Sequence, residues 1–265
     1  MASDALTKDG ISIAYDDRGV GDTALICLPG WCSDRFQFSP VVDSLADRRR
    51  TIVVDWRGHG ESDRPAADFG YRDMVEDVLA VVDATQVERF VPVAASHAGW
   101  VSLELRRLLG DRVAGCVFLS WMVLGAPAPF LAGLERMQQP DGWEEVKNQL
   151  FGMWRGGGNH PGVEAQLARM DSYGAETWMR AGREIHSAYS GFGAPLDVLS
   201  SLDPPVKALH VYAQPDDPGE LAAQESFASE HDWFSVHRLE AASHFPQFEL
   251  PDETARLVED FVSKL

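Results

Sequence analysis

The sequence predicts an α/β protein with a mostly parallel sheet flanked by helices on both faces, and two observations carry that expectation. Short apolar, β-branched runs alternate with helical stretches through the first 120 residues, and the alternation resumes after about residue 203. Between them, residues 121–202 lose the strand pattern and become rich in Trp, Met, Gly and Pro, as expected of a helical insertion lying over the sheet's carboxyl edge. The expected organisation is a core of 1–120 and 203–265 with a helical cap or lid of 121–202.

Taken in order, residues 10–15 (GISIAY) and 24–28 (ALICL) read as strands, the second ending at the turn Pro29-Gly30. Residues 51–55 (TIVVD) form a third, which runs into the loop WRGHGESDRP. Across 71–84, Met74, Val75, Val78, Leu79, Val81 and Val82 recur at helical spacing and give one apolar face. A strand at 90–93, a helix at 97–109 and a strand at 115–119 follow. Within the insertion, helical patterning covers 142–154 and 163–185. The last section reads as strand 207–213, helix 219–230, strand 234–239 and helix 251–265. Strands this apolar, separated by helices, belong to a sheet buried on both faces.

Composition narrows the function. The chain has 265 residues and a formal charge of −18, which argues against nucleic acid or an anionic membrane as partner, since both require a basic face. Cys27, Cys32 and Cys116 are odd in number and lack metal-ligand spacing, which points to a reducing, cytoplasmic compartment. The start has no apolar signal core and no segment reaches membrane-spanning length. The remaining histidines, His160, His186, His210, His231 and His237, share no ligand spacing.

Chemistry concentrates in Val91-Pro-Val-Ala-Ala-Ser-His-Ala-Gly-Trp100, a strand that passes through Ser96 into a helix. A nucleophile elbow puts its serine on a strained turn, so the residues two before and two after must be small; here they are Ala94 and Ala98. The same pattern also suits a serine that merely caps a helix. Two further features favour the elbow. His244 follows the last strand and precedes the last helix, where the α/β-hydrolase fold carries its histidine, and Pro29-Gly30-Trp31 follows an early strand, where that fold places a second oxyanion donor. The expected oxyanion donors are the backbone N–H groups of Trp31 and His97. His59 reads as a loop hydrogen-bonder. The acid is expected after one of two strands. Ser120 after the first cannot hold a charge, so Asp216, ahead of Asp217, is assigned the role of orienting His244. Trp31, Trp121 and Trp154 are candidates for an aromatic pocket wall.

Pro29-Gly-Trp-Cys32, Asp55-Trp-Arg-Gly-His-Gly60, Asp68-Phe-Gly-Tyr71, Ser96-His-x-Gly-Trp100, Gln214-Pro215 and His244-Phe-Pro246 together resemble the cofactor-independent 3-hydroxy-4(1H)-quinolone 2,4-dioxygenases. The likeness runs through the insertion, where Trp154 and Tyr173-Gly174 also match. It implies opening of the substrate's heterocycle by dioxygen, with carbon monoxide and an N-acylanthranilate released and no metal or organic cofactor. It implies that His244 is the base, that Ser96 hydrogen-bonds the substrate and that Trp154 borders the ring. The pattern departs at three positions: the family has Asp where Ser120 stands and His where Ala95 and Ser33 stand. These smaller residues lead to the expectation of a roomier pocket, lined by Met122, Leu124, Phe130, Leu131, Leu134 and Met137, that accepts a long 2-alkyl chain. Two other functions fit the same residues: a serine esterase or lactonase using Ser96, His244 and Asp216, and a non-catalytic ligand-binding protein.

Overall fold

A computed structural model describes residues 3–265. Eight strands, β1 (Ser3–Leu6), β2 (Ser12–Arg18), β3 (Thr23–Leu28), β4 (Thr51–Val54), β5 (Arg89–Ala95), β6 (Cys116–Leu119), β7 (Ala208–Tyr212) and β8 (Phe234–Arg238), form one sheet. Their order is β1-β2-β4-β3-β5-β6-β7-β8. The pairings β1/β2 and β2/β4 are antiparallel and the rest are parallel.

Alternation along the central strands divides the core in two. Ala24, Ile26, Leu28, Phe90, Ala94, Cys116 and Phe118 pack on one face. Leu25, Cys27, Val91, Val93, Val117 and Leu119 pack on the other. The second face is covered by α1 (Ser39–Leu45) and the C-terminal α11 (Pro251–Val262), through Val41, Val42, Leu45, Leu257 and Val258. The first is covered by α2 (Tyr71–Thr85) and α3 (Gly99–Leu109). The face predicted for α2 is the one it buries, through Met74, Val75, Val78, Val81 and Val82. Gly70 N–H donates to Asp73 at 2.8 Å to start that helix, and Gln86 at φ +52 ends it.

Between β6 and β7 the chain is helical: α4 (Ala128–Met137), α5 (Trp143–Arg155), α6 (Pro161–Asp171), α7 (Ala175–Phe192) and α8 (Pro195–Ser200). The stretch expected as one helix at 163–185 is two, broken at Ser172-Tyr173-Gly174. Tyr173 turns inward there so that its hydroxyl accepts the Gly60 N–H at 3.0 Å. After β7 come α9 (Pro218–Glu230) and, beyond β8, the short α10 (Pro246–Glu249). Among the described residues, no helix is long and apolar enough to cross a membrane.

Candidate active site

β5 delivers Ser96 to the sheet's carboxyl edge in a left-handed conformation, φ +51, which costs a residue with a Cβ about 1–2 kcal/mol. Ala94 and Ala98 are buried beside it, as an elbow requires. Gly99 is as constrained as the serine. A Cβ there would overlap the Trp121 ring, which also packs edge-on against Trp100 at 5.1 Å. The glycine of the Ser-His-x-Gly-Trp motif is therefore a notch for Trp121.

The turn after β3 is tied down on both sides of Trp31. Gly30 N–H donates to Gln37 Oε1 at 2.9 Å, and Cys32 N–H donates to His59 Nε2 at 3.2 Å. Pro29 has no N–H, and its carbonyl accepts from Trp56 Nε1 at 2.7 Å. The Trp31 N–H, lying between two committed neighbours, donates to no group among the described residues. The His97 N–H sits in the first turn after the elbow, where no helical acceptor exists. Both backbone groups belong to residues that line the same cavity. His59 is the loop hydrogen-bonder expected. Its Nδ1–H donates to the Arg57 carbonyl at 3.0 Å, and burial lowers its pKa to about 4, which keeps Nε2 free to accept.

His244 also lines the cavity, with Trp154 stacked on its ring at 5.3 Å and 19°. The imidazole is half-buried, and burial against these walls pushes its pKa down to about 4, so it is neutral at pH 7. The expected acid is corrected here. Asp216 is 77% exposed and binds Arg238 Nη2 at 2.6 Å, with no hydrogen bond to His244. An exposed carboxylate with a guanidinium beside it has no reason to turn inward. Asp217 caps α9, accepting from Gly219 N–H at 2.8 Å. No carboxylate hydrogen-bonds the His244 ring among the described residues. Ser120, where the acid might have stood, is buried at φ +51 with its hydroxyl unpartnered.

The cavity has a volume of about 70 Å³ open to the centre of a water molecule. Of the expected pocket residues it brings together Trp31, Ser33, Ser96, His97, Trp154 and His244. Ser33 Oγ accepts from Gln166 Nε2 at 3.0 Å. Three expectations fail. Ala95 continues the Val91/Val93 side of β5 and packs in the opposite core. Ser120 does not border the cavity, and Trp121 fills the Gly99 notch instead of the pocket wall. Of the three small residues behind the expected roomier pocket, Ser33 alone borders the cavity. Met122, Phe130, Leu134 and Met137 do line the cavity, whereas Leu124 is 36% exposed and Leu131 lies outside it.

Among the lining residues that sequence reasoning missed are Trp178 and Tyr189 of α7; the first lay inside the expected helix of 163–185 and the second beyond its expected end. The His97 side chain is more unusual. Both ring nitrogens are buried with no partner, and burial pushes its pKa to about 3, so a neutral imidazole faces the cavity. Among the described residues, no three His, Cys, Asp or Glu side chains gather as metal ligands.

The chain matches the alpha/beta hydrolase family over residues 25–257. It is 38% identical to the 2-heptyl-3-hydroxy-4-quinolone dioxygenase AqdC1 of Rhodococcus erythropolis over 87% of this chain and 83% of that one. It is 30% identical to the 1H-3-hydroxy-4-oxoquinoline 2,4-dioxygenase of Pseudomonas putida, over 97% and 98% of the two chains. The solved structure of an AqdC variant in complex with its substrate, the Pseudomonas quinolone signal, superposes with a TM-score of 0.95 at 33% identity, covering 100% of both chains. By sequence and by fold, the chain belongs to the alpha/beta hydrolase family and, within it, to the 3-hydroxy-4-quinolone 2,4-dioxygenases.

Proposed function

We infer that this chain cleaves the heterocycle of 2-alkyl-3-hydroxy-4(1H)-quinolones with dioxygen, giving carbon monoxide and an N-acylanthranilate without a cofactor. The family match supports the reaction class, and one observation favours it over ester hydrolysis. The neutral His244 imidazole lines an apolar cavity together with Ser96, and among the described residues no carboxylate hydrogen-bonds its ring. A serine nucleophile needs a base oriented and charge-stabilised by an acid. Taking one enol proton asks less.

The proposed steps use these groups in turn. His244 takes the 3-hydroxyl proton, and the resulting ion pair is held in a medium where water does not compete. Ser96 Oγ hydrogen-bonds the substrate. The electron-rich ring reduces dioxygen, and an oxygen bonds C2. The distal oxygen closes on C4, and the negative charge this puts on the C4 oxygen is met by the Trp31 and His97 N–H groups. Breaking C2–C3, C3–C4 and O–O expels C3 with its own oxygen as carbon monoxide, while C2 becomes the acyl carbonyl and C4 the carboxylate, each keeping one atom of dioxygen, and His244 gives up its proton as the product leaves. Trp154 borders the ring, and the apolar side chains from 122–137 take the 2-alkyl chain. Residues 121–202 act as a lid on the core formed by 1–120 and 203–265. A cytoplasmic location is consistent with three buried free cysteines.

The test is incubation of the chelator-treated protein with 2-heptyl- and 2-methyl-3-hydroxy-4(1H)-quinolone, with and without dioxygen. Expected are carbon monoxide and N-octanoylanthranilate only in the presence of dioxygen, with the higher kcat/KM for the heptyl compound. Ester turnover with phosphonate labelling of Ser96 and no dioxygen uptake would overturn this reading.

A further inference from the structure

We propose that Gln214 is a positioning residue that locks the His244 base to the C-terminal end of α5 through the backbone on either side. The inference rests on His244 being the base.

Gln214 stands just beyond β7, and its amide spends its donors on two carbonyls. Nε2 donates to Ala242 O at 2.7 Å and to Met153 O at 3.1 Å. The first lies two residues before His244 and the second in the last turn of α5. Two more ties join the same segments. His244 N–H donates to Trp154 O at 2.8 Å, while the Trp154 ring stacks on the imidazole. Gly156, the left-handed cap of α5 at φ +61, packs so closely that a Cβ would overlap the Ala242 carbonyl oxygen. Residues 153–156 and 242–244 therefore form one body, with Gln214 as the side chain that bridges them.

This arrangement has a chemical consequence. The last carbonyls of α5 carry the negative end of its macrodipole and are turned toward the His244 loop, which favours a proton on the imidazole. His244 acquires that proton during the reaction, and no ionised side chain hydrogen-bonds the ring to receive the charge. It also has a mechanical consequence. α5 lines the cavity through Leu150 and Trp154, and the clamp ties the base to that helix, so the His244 and Trp154 rings stay stacked.

The experiment uses the full chain and 2-heptyl-3-hydroxy-4(1H)-quinolone, in Gln214→Met (length kept, donors lost), Gln214→Glu (shape kept, acceptor only) and Gly156→Ala (a Cβ that meets both the Ala242 carbonyl and the Gln214 amide, so the clamp is pushed apart with its side chain retained). Anaerobic absorbance reads the fraction of bound substrate that is ionised, and steady-state kinetics gives kcat and KM. The ionised fraction is expected to fall in folded variants. The kcat loss should be roughly ten- to a hundredfold, the cost of misplacing a reacting group by about an ångström. KM should stay within about threefold. Unchanged kcat and ionisation in any folded variant, or a rise in KM alone, would overturn the clamp. If the unsubstituted protein ionises its substrate and His244→Ala does so equally, the base assignment itself fails, and the clamp with it.

Discussion

At the ends of β3 and β5 the cavity is offered backbone N–H donors, those of Trp31 and His97, beside the Ser96 hydroxyl. At the ends of β6, β7 and β8 the polar groups are side chains, and there the site departs from expectation. The first region is held by the Gln37 and His59 side chains, which accept from the Gly30 and Cys32 N–H groups, so its donors do not depend on which side chain position 31 carries. In the second, one substitution at Ser120 removes a charge, and the carboxylate proposed to replace it, Asp216, is held by Arg238. Machinery built from backbone survives sequence change. Machinery built from side chains must be rebuilt when one is lost.

The largest effect expected from this contrast separates base from serine. His244→Ala should lower kcat for the quinolone by about 10²–10⁴, the range of a lost general base. Ser96→Ala should cost less than about tenfold, against the roughly 10⁶ lost when a catalytic serine nucleophile is removed. Steady-state kinetics of both variants on one substrate decides this, and a more severe Ser96 loss would reverse the assignment.

A smaller effect probes the side-chain region directly. Asp216→Ala is expected to leave kcat within about twofold, since an exposed ion pair is worth little. Ser120→Asp is expected to raise kcat about tenfold, because a carboxylate near the imidazole favours its protonated form. The left-handed backbone at 120 suits Asp. A large loss in the first variant or none of the gain in the second would mean that His244 is governed from elsewhere.

The last effect is on stability and leaves the catalytic groups in place. Burial lowers His59, His210 and His244 to about 4 and His97 to about 3, from an ordinary value of 6.5. The unfolded chain therefore binds protons near pH 6.5 that the folded one refuses until lower pH. Their contribution is intact above about 6.5 and is lost as the pH falls toward 4 and 3, about 2 kcal/mol by pH 5 for each of the buried His59, His97 and His210 and less for the half-buried His244. Melting temperatures at pH 7.5 and 5.0 should show the fall, and His97→Asn should reduce it.

The fold was legible where burial dictates composition. The apolar runs of β3, β4 and β5 could hardly be anything but central strands, and Ala94 and Ala98 marked the elbow. β1 was missed because SDAL is short and mostly exposed, and it exists through pairing with β2. The side Ala95 faces was readable from its spacing to Val91 and Val93. Which partner Asp216 would take was not, since Arg238 comes from another strand and only the folded sheet brings them together. For the same reason Trp121 looked like a pocket wall until Gly99 proved to be its socket.

Cys32, Ser96 and Ser120 adopt left-handed backbones, and each stands just beyond the carboxyl end of a strand, β3, β5 and β6. None is a glycine, so the edge that does the chemistry stores strain of about 1–2 kcal/mol at each position. The buried strands behind it hold those turns fixed, so the fold's surplus stability is what keeps the site in shape. At Ser96 that tension aims a side chain into the cavity. At Ser120 it persists with no charge to aim. Glycine at 120 would release tension there at no cost in catalytic groups, whereas glycine at 96 would release it only by giving up the serine. Tolerance to mutation along this edge is therefore uneven, and the position with the least to lose lies closest to the one change that would strengthen the base.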